Sequence, residues 1–217
     1  MTPVELMKKF FPWIIGLVLL AGFCVAFPPF HIKSKKARQD AIAETTFNPA
    51  SFVEKFWTER LLPASGQAAD AAKVLTVIAE SPGKVREQFG RTVGISSSYG
   101  FHIRGKGRVV SISEDAVGLA VNSKDDVADV TIPLGFLVSN IVRDGTGLLN
   151  SSSYPNAQEF NEIAAELNKI VEEKVMPEVK RVAVVGKQLE FVGCVEVEDE
   201  ETDLKPLEVV PISVKSE

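Results

Sequence analysis

The sequence predicts an α+β protein with an N-terminal transmembrane helix, a small helical layer and an OB-like five-stranded β-barrel. Three observations lead to this fold. A stretch of 23 residues near the N-terminus contains no Asp, Glu, Lys or Arg. Apolar residues then recur at helical spacing up to about residue 90, and later at every second position in five segments. The later order is three strands, one helix and two strands. That order is the one of the OB barrel, in which a helix fills the gap between strands three and four.

The composition excludes several classes of protein. Hydrophobic residues make up 45% of the 217 residues and charged residues 24%, which is typical of a globular chain. Two cysteines exclude a disulfide-based scaffold, and two histidines leave little for a histidine-built metal site. Residues 39–217 hold 18 of the 24 basic and 28 of the 29 acidic residues, a net charge of −10 that nucleic acid would repel. We therefore expect no metal, no cofactor and no nucleic-acid partner.

The uncharged stretch, residues 10–32, is long enough at 1.5 Å per residue to span a hydrocarbon core of about 30 Å. Three fates are open to it. It stays as a transmembrane anchor, it is cleaved as a signal near Cys24-Val25-Ala26, or Cys24 is lipidated. The bulky Phe23 departs from the small residue that a lipidation signal places before its cysteine.

The charges that flank this segment leave its orientation open. Two lysines precede it, and four basic residues follow it, which by the positive-inside rule favours a cytoplasmic C-terminal part. A large folded domain crosses a membrane largely regardless of flanking charge. We therefore expect a single-pass membrane protein with a cytoplasmic N-terminus (residues 1–9), a basic stalk (residues 33–46) and a C-terminal domain in the periplasm.

Residues 47–90 are expected to form the helical layer. Asn48 followed by Pro49 is a typical helix start, with a capping side chain and a proline in the first turn. Leu62-Pro63 ends this first helix. A second helix is predicted over 67–80, and a short third one ends at Gly90.

Residues 91–217 are expected to form the barrel. Its first strand alternates from Phe101 to Ile112, with a bend at a glycine bulge, Gly105-Lys106-Gly107. The second strand contains Leu119, and the third contains residues 130–132.

The second half of the barrel begins with a long amphipathic helix, predicted over residues 155–176 with Pro177 at its end. The fourth strand covers residues 189–197 and the fifth covers residues 207–214. Because Pro211 cannot donate to a sheet, the fifth strand is expected at an edge.

Motifs that resemble catalytic or ligand-binding signatures are better explained as structure. The Gly105-Lys106-Gly107 sequence lacks the following helix that a phosphate-binding loop requires. The acidic turn around Asp125 has no Glu at the spacing that a calcium loop needs. His102 is expected to be exposed or hydrogen-bonded. We therefore expect a protein that is not an enzyme. An enzyme whose catalytic site carries no recognisable motif is kept as a third hypothesis, after a binding protein and a scaffold.

A basic patch runs against the acidic charge of the chain. Six basic residues and only one acidic residue, Glu87, fall within residues 84–108. Such a patch can dock an anionic ligand, an acidic partner or lipid headgroups, although it can also be a solvated sheet face. Arg143-Asp144 is a second candidate, as a structural clasp or a catalytic pair. The candidate binding residues are Arg91, Arg104, Lys106, Arg108, Arg143 and Asp144.

A series of short motifs, spread in order over about residues 47–195, resembles a bacterial family of predicted periplasmic lipoproteins whose domain has no known function. The resemblance implies one N-terminal membrane segment and a helical part joined to an OB-like barrel. It also implies, for some members, a gene beside those of sugar ABC transporters. The motifs are Phe47-Asn48-Pro49-Ala50, Phe52-Val53, Trp57, Leu62-Pro63, Phe89-Gly90-Arg91, Gly105-Lys106-Gly107-Arg108-Val109, Arg143-Asp144, Phe160 with Asn168, and Phe191-Val192-Gly193.

The sequence therefore predicts a membrane-tethered extracytoplasmic protein with a binding or accessory role, associated with a solute transporter or another envelope protein. The alternative is a structural scaffold that holds a membrane complex together and has no small-molecule ligand.

Overall fold

The computed structural model describes residues 47–92 and 97–216. The predicted membrane segment 10–32, with Cys24 and the flanking residues 1–9 and 33–46, lies outside these residues. Within the described ranges, no helix is both long and apolar enough to cross a bilayer.

The helical layer consists of three helices, as expected. Helix α1 (Pro49–Phe56) continues through a π turn (Trp57–Leu61) and a 3-10 turn (Pro63–Gln67). Its predicted N-cap is confirmed, because Asn48 Oδ1 accepts a hydrogen bond from the backbone N–H of Ser51 at 3.0 Å. Helices α2 (Ala71–Glu80) and α3 (Lys84–Phe89) follow.

Helix α2 starts four residues later than the sequence predicted. Residues 67–70 are instead taken up by the end of the 3-10 turn and by a two-residue strand, β1 (Ala69–Asp70). Asp70 Oδ1 then accepts the N–H of Lys73 at 3.2 Å and caps the helix. An Asp cap explains the later start, because its side chain satisfies an N–H that has no partner inside the helix.

Along the chain the strands follow the predicted order, but the sheet has seven strands rather than five. The two-residue β1 is added, and the predicted fifth strand is divided in two. After β1, its strands are β2 (Tyr99–Ile112), β3 (Ala116–Ala120), β4 (Val130–Pro133), β5 (Gln188–Val197), β6 (Leu207–Glu208) and β7 (Val210–Ser216). Neighbouring strands lie in the order β6-β4-β3-β2-β5-β7, and β1 pairs with β2 in parallel.

The last segment of the chain closes this sheet. Strand β6 pairs in parallel with β4, the Val209 N–H donates to Thr131 O at 2.8 Å, and β7 pairs antiparallel with β5. One continuous segment therefore joins the two ends of the sheet into a barrel. Pro211 lies where the register with β5 shifts, at a point where a residue without an N–H is tolerated.

The predicted glycine bulge in the first strand is wrong. Gly105 and Gly107 pair in register with Phe191 and Leu189, and the register shift lies between Val109 and Ser111. The glycines instead permit close packing, because a Cβ on Gly105 would lie 3.1 Å from the Phe191 ring and one on Gly107 2.9 Å from Leu119 Cβ.

The long helix continues past Pro177, where the sequence predicted its end. Helix α4 (Ile141–Asp144) and a 3-10 turn (Ser151–Ser153) precede α5 (Ala157–Ile170), which runs through a π turn (Val171–Val175) into α6 (Met176–Val182). The Met176 N–H donates to Val171 O, five residues back. This wider turn brings Pro177 into the first turn of α6, where its missing N–H leaves no hydrogen bond unmade.

An aromatic cluster joins the helical layer to the long helix. The Phe52 and Phe56 rings stack with centroids 6.0 Å apart, and Tyr154 meets both Phe52 at 6.2 Å and Phe160 at 5.2 Å. Phe47 adds a further contact with Phe52 at 5.5 Å. Residues from Phe47 onward accordingly form one compact unit rather than separate layers.

We expect Gly193→Ala to destabilise the domain by about 2 kcal/mol or more, because overpacking at a closed strand pair cannot relax cheaply. An added Cβ would collide with Val210 O and Val209 Cγ1 at the closing strand. Urea denaturation measures the free energy of unfolding. The matched control is Gly66→Ala, where nothing lies within 4 Å of the new Cβ. Equal stabilities of the two variants would contradict this account of barrel closure.

Candidate functional site

The structure disperses the predicted binding residues over four places. Arg91 lines a small pocket between the helical layer and the barrel, whereas Arg104 and Lys106 line a separate open groove. Arg108 belongs to a third surface, beside the turn after β3, where it pairs with Asp126. Arg143 and Asp144 lie together in α4. The six residues are therefore not one site.

The groove has a volume of about 850 Å³ and lies between residues 62–72 and strands β2, β5 and β7. Lys106 is held there by an ion pair with Glu190. Arg104 is exposed, and within the described ranges no acidic side chain forms an ion pair with it. The groove is open to solvent, and its lining carries both positive and negative side chains.

Arg108 and the acidic turn form a structural unit. Arg108 Nη1 donates to Asp126 Oδ1 at 2.7 Å. Asp129 Oδ2 accepts three backbone N–H groups, from Val121, Asn122 and Ser123, at 2.8 to 3.0 Å. Its carboxylate thus organises the turn that the sequence offered as a calcium candidate. In the part of the chain that the structure describes, no group of three or more His, Cys, Asp or Glu side chains could hold a metal ion.

Arg143 and Asp144 form a buried clasp. Arg143 is only 5% exposed, and its guanidinium donates to both carboxylate oxygens of Asp144, at 2.6 and 2.9 Å. It also donates to Phe160 O at 3.0 Å and stacks on the Phe160 ring, with 3.8 Å between Cζ and the centroid. The two contacts with Phe160 tie α4 to α5. The geometry is that of a bidentate structural ion pair, whose removal would leave a buried charge without compensation.

The small pocket is a polar cavity with a volume of about 220 Å³. Three elements build it: the end of α3, the 3-10 turn with β1, and the loop after α4, all laid over the outer face of β2. Its polar side chains are Gln67, Gln88, Arg91, His102 and Thr146. Because the lining contains one cation and no carboxylate, the pocket suits a neutral or negatively charged ligand.

Arg91 is fixed in this pocket through its backbone and through a glycine. Its N–H and C=O exchange hydrogen bonds with Gly100 at 2.8 and 2.9 Å, which ties the end of α3 to the start of β2. The guanidinium lies against Gly147, where a Cβ would be 2.6 Å from Arg91 Nη1. Gly147 also has a φ of +67°, which favours glycine. Two independent constraints therefore require glycine beside Arg91.

His102 corrects the sequence expectation of an exposed or hydrogen-bonded histidine. The residue is partly buried, and its Nε2 is buried without a hydrogen-bond partner among the described residues. Burial, and to a smaller extent the positive charge of Arg91, together lower the pKa of His102 from 6.5 to about 4. The imidazole is therefore neutral at pH 7, and one of its ring nitrogens is unsatisfied in a polar cavity.

Sequence reasoning missed His102 because a single histidine on a strand carries no motif. The available signal was its outward position between the inward-facing Phe101 and Ile103, on a face that the helical layer then covers. Thr146, 7% exposed, was also missed, since it lies in an irregular loop.

We expect acid to destabilise the wild-type domain more steeply than His102→Gln. Between pH 6.5 and about 4 the unfolded chain binds a proton at His102 and the folded chain does not, so stability is lost as the pH falls. Urea denaturation at pH 7 and pH 5, in buffers without small carboxylates, measures the free energy of unfolding. The loss of this free energy between the two pH values is then compared between the wild type and His102→Gln. Arg91→Gln should reduce the wild-type slope, because it removes the second cause of the low pKa. Parallel profiles for wild type and His102→Gln would contradict the low pKa.

Comparison with known proteins agrees with this architecture. A crystal structure of an OB-fold protein from Thermotoga maritima is similar, with a TM-score of 0.70 and 26% sequence identity over 80% of this chain and 100% of that chain. The barrel is therefore an OB fold. No curated protein matches the chain significantly.

The family assignment comes from a match over most of the chain. The model of the predicted periplasmic lipoprotein family DUF2291 covers residues 14–215, which include both the helical layer and the barrel. This confirms the resemblance carried by the short motifs. The chain belongs to the DUF2291 family of predicted periplasmic lipoproteins.

Proposed function

We propose that this protein is a membrane-tethered extracytoplasmic binding protein, which holds a small polar solute in the pocket of Arg91 and His102. The single observation that carries the proposal concerns His102, which lines a polar cavity of about 220 Å³ and whose buried Nε2 has no hydrogen-bond partner among the described residues. A buried polar atom without a partner costs about 1–3 kcal/mol. A bound solute that supplies the missing hydrogen bond would recover that cost.

The proposed tether is the apolar segment 10–32, either as a retained transmembrane helix or through a lipid on Cys24. The family description supports the lipid. The chain contains two cysteines, and the other one, Cys194, is fully buried in the folded domain. A lipid attached to the folded protein would therefore be on Cys24.

We further propose that the protein binds rather than catalyses, as an accessory to a solute transporter of the envelope. The resemblance to a family with members encoded beside sugar transporters supports the transporter. Among the residues lining the pocket, Thr146 carries the only hydroxyl, and that oxygen accepts from the Leu148 N–H at 3.4 Å. Within the described residues no hydrogen bond joins the Thr146 hydroxyl to His102, the basic side chain of the lining.

We expect Ala69→Leu to abolish solute binding, because Ala69 lines the pocket and a larger side chain there would fill it. Isothermal titration calorimetry of the full-length protein in detergent, with a panel of monosaccharides, amino acids and small organic acids, measures the binding. The matched control is Ala72→Leu, the same change in the neighbouring groove, which should bind like wild type.

If a solute binds to Ala69→Leu but not to Ala72→Leu, the binding site lies in the groove rather than in the pocket. Absence of binding by every member of the panel would overturn the proposed function.

A scaffold is the second candidate, and an exposed apolar loop favours it. Phe136 is 85% and Val138 83% exposed, although the loop between them is held in place. The Leu137 N–H donates to Glu172 Oε1 at 2.7 Å, and the side-chain amide of Asn168 donates to Ser139 O at 2.8 Å. Two apolar side chains presented on an ordered loop are typical of a surface that contacts another protein.

The double substitution Phe136→Ser and Val138→Ser separates the two candidates. If the protein is a scaffold, the variant should lose co-purification with its membrane complex while the affinity for solutes stays at the wild-type value. The control is Val127→Ser, an equally apolar exposed residue on the turn after β3. Retention of the complex by the double variant would exclude this loop as the scaffold surface.

A further inference from the structure

The pocket carries an uncompensated positive charge. Arg91 is the only ionisable cation of its lining, and the other polar side chains there besides His102 are amides and a hydroxyl. Within the described ranges, no carboxylate forms an ion pair with Arg91. The side chain of Arg91 is exposed, unlike that of the buried Arg143, whose guanidinium donates to a carboxylate. The guanidinium of Arg91 is therefore open to an anion that enters the pocket from solvent.

The net charge of the pocket limits the charge of its ligand. At pH 7 the empty pocket holds one guanidinium and a neutral imidazole, which together compensate one negative charge. A second negative charge is compensated only where the imidazole also takes up a proton. A phosphate carries about 1.5 to 2 charges at pH 7 and three strong acceptor oxygens, which this lining would leave partly unpaired. A carboxylate carries one charge, and its two oxygens match the planar fork of a guanidinium.

The volume of the pocket limits the size of the ligand. The cavity of about 220 Å³ is smaller than the roughly 300–1,000 Å³ of pockets that take drug-sized molecules. At about 30 Å³ of liquid volume for each water, it corresponds to roughly seven waters. A carboxylic acid of a few carbons fits this space, and a nucleotide or an oligosaccharide does not.

The charge of Arg91, the Nε2 of His102 without a hydrogen-bond partner and the volume of the pocket point to one class of ligand. We propose that the pocket binds a small monocarboxylate, whose carboxylate is held by the Arg91 guanidinium and by His102 Nε2. This inference rests on the proposed function, since it names the class of solute that the same pocket takes. Thr146 and the two glutamines are then available for the polar groups on the rest of the ligand.

Binding of such an anion is coupled to a proton. In the empty pocket, burial and the positive charge of Arg91 both lower the pKa of His102 and so keep its imidazole neutral. A bound carboxylate offsets the Arg91 charge and accepts a hydrogen bond from a protonated Nε2, and both effects favour the imidazolium. One proton from solvent therefore adds to the imidazole as the anion binds, and affinity rises as the pH falls toward 5.5.

Charged and titratable groups also lie on the other elements around His102. Asp70 ends β1 and caps α2, and Asp144 is engaged by Arg143. Arg104 lies two residues along β2, in the groove. Cys194 on β5 pairs with His102 on β2, and burial and Asp144 raise the pKa of its thiol. His102 is the group whose protonation we expect to change on binding.

The test is calorimetric titration of the full-length protein in detergent with lactate at pH 7 and pH 5.5, against its neutral amide, lactamide. We expect lactate to bind and lactamide to bind at least tenfold more weakly. The affinity for lactate should rise about tenfold between pH 7 and pH 5.5. This stays below the limit of roughly thirtyfold that full uptake of one proton sets over 1.5 pH units, at tenfold per unit. Titrations in two buffers of different ionisation enthalpy give the number of protons taken up, which we expect to be close to one at pH 5.5.

Two variants assign the effect to residues. Arg91→Gln should lower the affinity for lactate at least tenfold. The control is Arg104→Gln, which removes an exposed arginine from the outer face of β2, the face of His102, and should leave the affinity at the wild-type value. His102→Gln should bind lactate without proton uptake and without the pH dependence. If either pocket variant fails to fold by circular dichroism, the proton count and the lactamide comparison in the wild-type protein still decide.

The outcomes distinguish the inference from the proposed function. One outcome is that the pocket binds ribose or another neutral solute, in an Ala69-dependent way, and does not bind lactate, acetate or propionate. This result would overturn the proposed carboxylate ligand and leave the proposed binding function intact. Preference for inorganic phosphate over lactate overturns the charge argument. Equal affinities for lactate at the two pH values, with no proton uptake, overturn the role of His102.

Discussion

The pairing of β2 with β5 is the constraint on which the rest of the structure depends. Ten consecutive residue pairs, from Tyr99 with Val197 to Arg108 with Gln188, fix which side chains face the barrel interior. Phe101 and Ile103 are buried inside, and His102 between them points to the outer face. A slip of one residue would exchange the two sets and place an imidazole in the apolar core. The helical layer covers the outer face only because β1, Arg91 and Gly100 attach to this same strand.

The covered outer face explains why His102 holds a buried nitrogen without a partner among the described residues. Near His102, β1 and β5 pair with the two edges of β2. The barrel core covers one face of the strand, and α3 with the loop after α4 covers the other. An apolar residue at position 102 would fill the second interface at no desolvation cost. A histidine there costs stability and makes a specific contact available, which is the usual signature of a functional position rather than a structural one.

The backbone order was predictable because it rests on local patterns. Alternation marked β2, β3 and β5, and Asn48 marked the start of α1. The errors arose where tertiary packing decides. Gly105 was interpreted as a bulge, although its role is to make room for the Phe191 ring, a contact across 86 positions of sequence. Pro177 was interpreted as a helix end, although a π turn accommodates it. Of the pocket, Arg91 was among the predicted residues, whereas Thr146 and His102 depended on which loop covers which strand.

The burial of Cys194 has a consequence for the redox chemistry of the domain. The extracytoplasmic space that the family description indicates is oxidising, and a thiol exposed there is open to peroxide and to mixed-disulfide exchange. Cys194 is fully buried on β5, and the raised pKa of its thiol keeps it from forming the reactive thiolate. The folded domain is thereby inert to covalent dimerisation and needs no reductant to persist outside the cytoplasm.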